Sequence, residues 1–251
     1  MSKSKIQWTD VTWNPITGCT KISEGCKNCY AEKMHKRLDA MFSARCEGLH
    51  KYSNKFDKVV CHENLLNEPL KYKKPKKIFV CSMSDLFHKD ARYSFVEKIM
   101  KTIEATPQHT YQILTKRSYR MYKYFDMYDI PENLWIGTTV ENKFEMYKTN
   151  FLKEVKQARV KFISFEPLLE DVGKLDLSGI DWVIVGGETG SNARFMNKDW
   201  VVNIKNQCIE QGVPFFFKHF GSKYNVKQRC YIDDLMLWDI YRQFPIQKDT
   251  Q

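Results

Sequence analysis

The stretch VKFISFEPLLEDVGKLDLSGIDWVIVGGE, residues 160–188, holds two short apolar runs, and each is followed by polar or glycine residues. Val160–Ser164 and Trp182–Val185 have the length of buried strands rather than of helices. Similar runs recur along the chain with longer amphipathic stretches between them. Such alternation predicts parallel strands joined by helical crossovers. The other predicted strands are Val11–Thr17, Ile78–Ser82, Tyr111–Thr115, Leu134–Thr138 and Val213–Phe217.

The intervening stretches have helical periodicity. Apolar residues recur at helical spacing in residues 95–103, 144–155 and 200–208, which predicts three amphipathic helices. Seven strands in 251 residues fit an α/β fold, namely a complete or partial (β/α) TIM-type barrel of parallel strands with its active site at the C-terminal strand ends. An open doubly wound sheet is the alternative. Because no Pro/Gly/Ser-rich linker or fixed repeat interrupts the pattern, we predict one domain over residues 1–251. The predicted apolar face of the second helix consists of Phe144, Tyr147, Phe151 and Val155.

Composition and charge limit the classes of function. The 16 Phe, 13 Tyr and 6 Trp exclude a chain that stays disordered. Without an apolar run of about 18 residues, no membrane span is predicted. The first ten residues lack the apolar stretch of a secretory signal, so we expect a cytoplasmic protein with reduced thiols. Forty Lys and Arg against 30 Asp and Glu give a net charge of +10, which favours a polyanionic partner such as nucleic acid.

Three of the eight cysteines have the spacing C-x6-C-x2-C. They are Cys19, Cys26 and Cys29, with Gly18 before the first and Gly25 before the second. Glycine permits tight backbone turns, and a C-x2-C pair can direct two thiolates at one centre. We therefore predict that these three cysteines bind a metal or a metal cluster.

Two kinds of metal centre fit this loop. A structural zinc ion needs four ligands, and His35 is the candidate for the fourth. A [4Fe-4S] cluster normally takes four thiolates, so three leave one iron open for a chelating cofactor such as S-adenosylmethionine. An electron from the cluster can then break the S–C5′ bond of that cofactor. We favour iron–sulfur because the loop follows the first strand of an α/β chain. The helix expected after Cys29 should bury Tyr30, Met34, Leu38 and Met41, with His35 just off this face.

The other five cysteines match no ligand spacing that we can defend. Cys81 falls in an apolar strand and Cys208 on a helix face, which predicts two buried thiols. Cys46, Cys61 and Cys230 are expected to be free thiols, and a second metal site formed by them, with His62 beside Cys61, is the alternative.

Polar, charged or glycine residues follow nearly every predicted strand. The carboxyl ends of parallel strands meet at one edge, where active sites form. Gly186 and Gly187 are expected to let a ligand approach the backbone closely. Glu188 is expected to accept a hydrogen bond from a ribose hydroxyl or an ammonium group of that ligand. The alternative is a tight turn in which Glu188 is solvated. The predicted cofactor-binding residues are Ser82, Ser84, Asp85, Thr115, Glu141, Asn142, Glu166, Gly186, Gly187 and Glu188. The predicted substrate-binding residues are Lys116, Arg117, Arg194, Lys218 and His219, which suit a carboxylate or a phosphate.

Seven motifs spread along the chain resemble those of a known protein family. They are WNPITGC (13–19), GCKNCYAE (25–32), SMSDLFH (82–88), LTKR (114–117), SFEPLL (164–169), WVIVGGE (182–188) and PFFFK (214–218). Together they resemble a phage- and prophage-associated family of three-cysteine proteins of unknown function, over about Trp8 to Pro245. This family is grouped with radical S-adenosylmethionine proteins and is distantly similar to spore photoproduct lyase, which repairs thymine dimers. The resemblance implies an iron–sulfur cluster, S-adenosylmethionine, a barrel fold and a bacterial or phage-infected host cell.

The chain departs from those patterns in three places. Most radical S-adenosylmethionine enzymes have C-x3-C-x2-C, whereas the first gap here is six residues. Their Gly-Gly-Glu stretch follows the second strand, whereas Gly186–Glu188 follows the sixth predicted strand of this chain. A Leu-Asp-Gly-Arg segment typical of the three-cysteine family is replaced by Ile232-Asp-Asp-Leu235, which lacks the glycine.

Three functions follow from these observations. The first is a radical S-adenosylmethionine-type enzyme that modifies or repairs a nucleic acid or nucleotide, with a reducing electron donor as partner. The second is a nucleic-acid-binding protein without catalysis, whose fold is stabilised by a metal centre. That centre is either zinc bound by the three cysteines and His35 or an iron–sulfur cluster. The third is a cluster protein that binds or repairs DNA by electron transfer without an adenosyl radical.

Overall fold

The computed structural model describes residues 1–4, 6–45, 48–224, 231–232, 235–236 and 241–245. The α-helices in this part of the chain are α1 (Tyr30–Ser43), α2 (Tyr93–Glu104), α3 (Ser118–Phe125), α4 (Lys148–Glu154) and α5 (Lys198–Glu210). The strands are β1 (Ser2–Lys3), β2 (Val11–Trp13), β3 (Ile16–Thr17), β4 (Val60–Cys61), β5 (Lys77–Val80), β6 (Thr110–Thr115), β7 (Leu134–Thr139), β8 (Val160–Phe165), β9 (Trp182–Val185), β10 (Phe215–Phe217), β11 (Tyr231–Ile232) and β12 (Leu235–Met236).

The main sheet has eight strands in the order β1-β2-β5-β6-β7-β8-β9-β10 and is mostly parallel. The pairs β2–β5, β5–β6, β8–β9 and β9–β10 are parallel, whereas β1 pairs antiparallel with β2. The predicted α/β class is therefore confirmed. A closed or partly closed barrel stays a prediction.

Six of the seven predicted strands form within about two residues of their expected bounds, because each is a continuous apolar run. The exception is Val11–Thr17, which divides into β2 and β3. Pro15 has no N–H to donate to a sheet, and Asn14 turns its side-chain oxygen to the Ser82 hydroxyl and the Met83 N–H, both at 3.1 Å. Strand β3 then pairs antiparallel with β4.

The chain divides into two compact units. The first contains Met1–Ile22 and Cys29–Trp135. Helix α2 contributes Phe95, Ile99 and Ile103 to its core, as the helical spacing predicts, and Trp13 and Ile78 of the sheet are fully buried.

The second unit contains Ser23–Asn28 and Ile136–Gln251. Its core includes Trp182 of β9, whose ring lies 5.6 Å from Phe162 and 5.8 Å from Phe216, centroid to centroid. Ile204 and Cys208 of α5 are fully buried, which confirms the predicted inner face of that helix.

Two predicted helix faces are wrong. Phe144 and Tyr147 are 76% and 57% exposed, because residues 143–145 form a separate 3-10 turn and α4 begins only at Lys148. In α1 the buried residues are Ala31 and His35, whereas Tyr30, Met34 and Met41 are exposed. The rings of Tyr52 and Phe56 pack against His35 at 5.3 and 5.4 Å and so set which face is covered.

The cysteines outside the C-x6-C-x2-C loop follow the predictions where the structure describes them. Cys81 and Cys208 are buried, and burial raises the pKa of Cys208 to about 12. Cys61 is half-buried and is not in a disulfide. Cys46 and Cys230 lie outside the described residues, as do residues 233–234 of the Ile232–Leu235 segment. No helix in the described ranges has the length and apolar character that crossing a membrane requires.

Candidate functional site

The cysteine loop contributes to both units. Cys19 and Cys29 belong to the first unit, and Cys26 belongs to the second. In each unit, side chains at the strand ends hold the part of the cysteine loop that belongs to that unit.

Backbone contacts fix the position of Cys19 in the first unit. Gly18 has φ +86°, a left-handed conformation that favours glycine, and a side chain there would collide with the Lys58 carbonyl. The Gly18 N–H donates to the Met83 carbonyl at 3.1 Å, and Ser84 Oγ donates to the Gly18 carbonyl at 2.6 Å. Ser84, predicted to bind a cofactor, therefore holds the loop in place.

Asp85 is a buried carboxylate with hydrogen bonds to both oxygens. Oδ1 accepts from Thr115 Oγ1 at 2.7 Å and from the Phe87 N–H at 2.9 Å. Oδ2 accepts from Arg117 Nη1 at 3.0 Å and from the Lys116 N–H at 3.1 Å. Four donors match the capacity of a carboxylate. In this arrangement Asp85 and Thr115 orient Arg117.

Arg117 connects this carboxylate to the cysteine loop. Its Nη1 lies 3.6 Å from Cys19 Sγ, and its Nη2 donates to the carbonyl and hydroxyl oxygens of Thr20 at 3.0 and 3.2 Å. Burial lowers the pKa of Arg117, but Asp85 and Cys19 outweigh burial and the pKa is raised. A permanent cation beside Cys19 stabilises its thiolate form.

Cys29 lies at the start of α1, where it is the residue before the first helical turn. The Tyr30 hydroxyl donates to the Ser82 carbonyl at 2.7 Å and fixes this end of the helix.

In the second unit, Glu141 holds the segment Ser23–Asn28. Glu141 is completely buried, just after β7. Its Oε1 accepts from Ser23 Oγ at 2.9 Å and its Oε2 accepts from the Gly25 N–H at 3.2 Å. A side chain at Gly25 would collide with this carboxylate. Ser23 Oγ also lies 3.3 Å from Cys26 Sγ, so Glu141 sets the position of Cys26 through Ser23.

Glu188 and Arg194 form a second anchor for the same segment. Glu188 Oε1 accepts from Arg194 Nη2 at 2.7 Å, and Oε2 accepts from Arg194 Nε and from Asn28 Nδ2, both at 3.0 Å. Arg194 Nη2 also donates to the Glu24 carbonyl at 3.0 Å. Burial raises the pKa of Glu188, but the hydrogen bonds from Arg194 and Asn28 outweigh it and the pKa is lowered.

The glycines before Glu188 make room for the chain itself. A side chain at Gly187 would collide with the Phe220 carbonyl, and one at Gly186 would crowd Glu166 at 3.2 Å. The Gly187 N–H donates to the His219 carbonyl at 2.8 Å. In this structure the Glu166 side chain lies against Gly186 and residues 219–221 lie against Gly187, and ligand binding at these glycines stays a prediction.

Four of the five predicted substrate-binding residues contact a group of their own unit. Arg117 pairs with Asp85 and Arg194 with Glu188. Lys218 Nζ lies 2.5 Å from Glu166 Oε1. His219 Nδ1 accepts from the Gly221 N–H at 3.1 Å.

Sequence reasoning missed four residues that position the loop, namely Thr20, Ser23, Asn28 and His88. Ser23 and Asn28 are polar residues next to the C-x2-C pair, and this position is a usable signal because a metal-binding loop needs internal hydrogen bonds. His88 Nε2 donates to Thr20 Oγ1 at 2.7 Å, because its Nδ1 already accepts from the Asp90 N–H at 3.1 Å.

The donor chemistry of the three cysteines fits an iron–sulfur cluster. Cys19, Cys26 and Cys29 are all reduced thiols, and none is in a disulfide. The Arg117 guanidinium lies beside Cys19 and stabilises its thiolate, and the Ser23 hydroxyl oxygen lies 3.3 Å from Cys26 Sγ. Within the described ranges, no three His, Cys, Asp or Glu side chains are grouped as they stand in a way that would hold a metal ion.

Two buried polar atoms at strand ends of the second unit lack a hydrogen-bond partner within the described part of the chain. They are Asn142 Oδ1, after β7, and Ser164 Oγ, near the end of β8. The Val140 N–H donates to the Ser164 carbonyl at 3.0 Å, which places these strand ends side by side. Leaving such a group unpaired costs about 1–3 kcal/mol, so a bound polar ligand would stabilise this edge. These atoms fit a cofactor with hydroxyl or ammonium donors.

The class defined by these observations is a mostly parallel α/β protein with a cysteine loop anchored at its strand ends. A family model described as "Protein of unknown function (DUF5131)" matches residues 3–241. The chain belongs to this family. No curated protein matches it in sequence.

Solved structures of spore photoproduct lyase resemble the chain at 12% identity. The complex with dinucleoside spore photoproduct has a TM-score of 0.46, covering 82% of this chain and 62% of that one. A variant with bound AdoMet and dinucleoside spore photoproduct has a TM-score of 0.43, covering 78% and 60%. The chain thus spans about three fifths of the length of these proteins.

Proposed function

We propose that this protein is an iron–sulfur enzyme of the radical S-adenosylmethionine type that modifies or repairs a nucleic acid or nucleotide. On this proposal Cys19, Cys26 and Cys29 hold a [4Fe-4S] cluster on a barrel-type α/β scaffold in the cytoplasm. When bound, the cluster supplies an electron for reductive cleavage of S-adenosylmethionine. The observation that carries the proposal is that side chains at the strand ends hold the segments of Cys19 and Cys26, with the Arg117 guanidinium beside Cys19.

The protein's own residues divide into two roles under this proposal. Asp85, Glu141 and Glu188 act as positioning residues, because their oxygens receive donors that fix the cysteine segments. Asn142 and Ser164 are the proposed cofactor contacts, because their unpartnered oxygens can accept from a ribose hydroxyl or an ammonium group. The net charge of +10 supports a polyanionic substrate.

A cysteine-replacement experiment tests the cluster and the reaction together. Protein reconstituted anaerobically with iron and sulfide is expected to bind about four iron per chain and, with dithionite, to release 5′-deoxyadenosine or methionine from S-adenosylmethionine. Replacing Cys19, Cys26 and Cys29 by Ala should abolish both, whereas Cys61→Ala should retain both. Cluster-loaded protein that cleaves no S-adenosylmethionine would overturn the radical assignment.

A second candidate function rests on His35. Its Nε2 donates to the Asn54 carbonyl at 2.8 Å, so Nδ1 carries a lone pair, and that buried atom has no partner in the described part of the chain. His35 and Cys19 line the same cavity of about 560 Å³. This arrangement favours the zinc-stapled, non-catalytic nucleic-acid-binding protein. One zinc and no iron or sulfide in anaerobically purified protein, lost in His35→Ala, would establish it in place of the enzyme.

A further inference from the structure

A row of four aromatic rings runs from the core of the second unit to its surface. Phe217 of β10 and Phe220 are buried with centroids 4.7 Å apart, and Phe220 lies 5.1 Å from Tyr224. Tyr224 stacks on Phe195 at 5.3 Å with 25° between the rings. Phe195, the outermost ring, is 59% exposed. We call Phe195, Tyr224 and Phe220 the aromatic platform.

The platform is fixed in place rather than loosely exposed. The Tyr224 hydroxyl donates to the Met196 carbonyl at 2.8 Å, which ties the second ring to the residue beside the first. Phe220 is anchored because the segment after it crosses Glu188, whose carbonyl accepts from the Ser222 N–H at 2.9 Å. A rigid exposed ring loses little conformational entropy when a flat group stacks on it.

Two lysines adjoin the platform, one in space and one in sequence. Lys198 Nζ lies 5.7 Å from the centroid of Phe220 and 5.9 Å from that of Tyr224. Lys223 is exposed beside Tyr224 in the sequence. Both lysines are exposed, whereas Arg194 pairs with Glu188, Lys218 pairs with Glu166, and Lys205 is buried.

The platform also adjoins the segment that carries Cys26. Arg194, which precedes Phe195, donates to the Glu24 carbonyl at 3.0 Å. Asn28 Nδ2 donates to the Asn192 carbonyl at 2.8 Å. Phe195 is therefore next in sequence to a side chain that contacts the segment carrying Cys26.

We propose that the aromatic platform is a nucleobase-stacking site for single-stranded or locally unpaired nucleic acid. Every base presents a π-face that stacks on an aromatic ring, and lysines beside the ring attract the adjoining phosphates. This inference rests on the proposed function and deepens it, because it names an unpaired base as the group bound near the cysteine loop.

Fluorescence anisotropy with a short labelled oligothymidylate tests the platform on the full chain. Phe195→Ala should weaken binding about tenfold, whereas Phe195→Trp should retain wild-type affinity because it keeps a ring. Phe144→Ala is the matched control, since Phe144 is an exposed ring of the same unit with Lys143 Nζ 5.3 Å from its centroid. It should leave affinity unchanged. Lys198→Ala should weaken binding less and reduce the slope of log affinity against log salt by about one, because it removes one phosphate contact.

The outcomes separate this inference from the proposed function. Wild-type affinity in Phe195→Ala, equal losses in Phe195→Ala and Phe144→Ala, or no binding by the wild type would each overturn the platform. If the wild-type protein cleaves S-adenosylmethionine but binds no oligonucleotide, the stacking site is overturned and the enzyme assignment is kept. If the protein binds the oligonucleotide through Phe195 but cleaves no S-adenosylmethionine, the stacking site is kept and the enzyme assignment is overturned.

Discussion

The two units each use an arginine–carboxylate pair to hold part of the cysteine loop, but the pairs differ in burial and in what the arginine contacts. In the first unit the side chains of Arg117 and Asp85 are 10% and 8% exposed, and the guanidinium reaches Cys19 Sγ. In the second unit Arg194 is 29% exposed and reaches the Glu24 carbonyl rather than a sulfur.

This difference assigns different tasks to similar groups. A buried cation next to a thiol acts on the charge of that thiol, because little water is present to screen it. A more exposed arginine that binds a carbonyl fixes the path of the backbone. The first pair therefore stabilises the thiolate of Cys19, and the second pair, together with Glu141, positions Cys26.

The largest effect on the free energy of unfolding is expected from breaking the buried Arg117–Asp85 pair. Arg117→Ala leaves Asp85 charged, buried and without its cation, which should lower the free energy of unfolding by about 3–5 kcal/mol. Arg194→Ala should lower it less, because the Arg194 side chain is 29% exposed against 10% for Arg117, so water more readily reaches the Glu188 oxygens that it leaves. Urea denaturation of both variants measures the difference. Equal losses would show that burial does not distinguish the two anchors.

A smaller effect is expected at the buried acid of the second unit. Glu141→Ala leaves the Ser23 hydroxyl and the Gly25 N–H without their acceptor and should cost about 2–3 kcal/mol of unfolding free energy. Glu141→Gln keeps one acceptor oxygen and should cost less. The Ala variant should also bind less iron after reconstitution, because Cys26 loses its positioning contact through Ser23. Full iron content in a folded Glu141→Ala protein would contradict this role.

The smallest effect is a difference in pH dependence between the units. Burial and the Arg117 charge lower the pKa of His88, and burial and Lys51 lower that of His62, from the ordinary value of 6.5. Their stabilising contribution is present above pH 6.5 and is lost as pH falls through the folded pKa values. Glu188 also has a lowered pKa, so its contribution is present above pH 4.5 and is lost below that value.

Segment-resolved hydrogen exchange measures this difference. Protection in residues 11–20 and 82–90 should fall as pH drops below 6.5, before protection around Glu188 falls. His88→Gln keeps a donor and an acceptor but does not titrate, so it should flatten the dependence in the first unit. Simultaneous loss in both units would argue against separate titrations.

The sequence predicted the strands well because each one is specified locally. Residues 160–164 and 182–185 are continuous apolar runs, and nothing elsewhere in the chain was needed to recognise them. Strand β1 was missed because two residues carry no periodicity. The helix face at Phe144 and Tyr147 was wrong because helical spacing was carried across a 3-10 turn where it does not hold.

The sequence predicted which residues lie at the candidate site but not which of them contact each other. The sequence placed Asp85, Glu141 and Glu188 at strand ends, but their donors come from Arg117, Ser23 and Arg194, which lie elsewhere in the chain. Gly186 and Gly187 illustrate the same limit. A glycine signals that something approaches closely, and only the structure shows that Glu166 approaches Gly186 and that residues 219–221 approach Gly187.

The anchoring of the cysteine loop has a consequence for how metal loading and folding are coupled. In many small metal-binding domains the ion orders the loop, so binding and folding are one event. In this chain the bonds from Ser84 to Gly18 and from Glu141 to Ser23 order the loop through protein groups alone. We therefore expect the fold to form independently of the metal, so that cluster assembly can follow folding as a separate, reversible step.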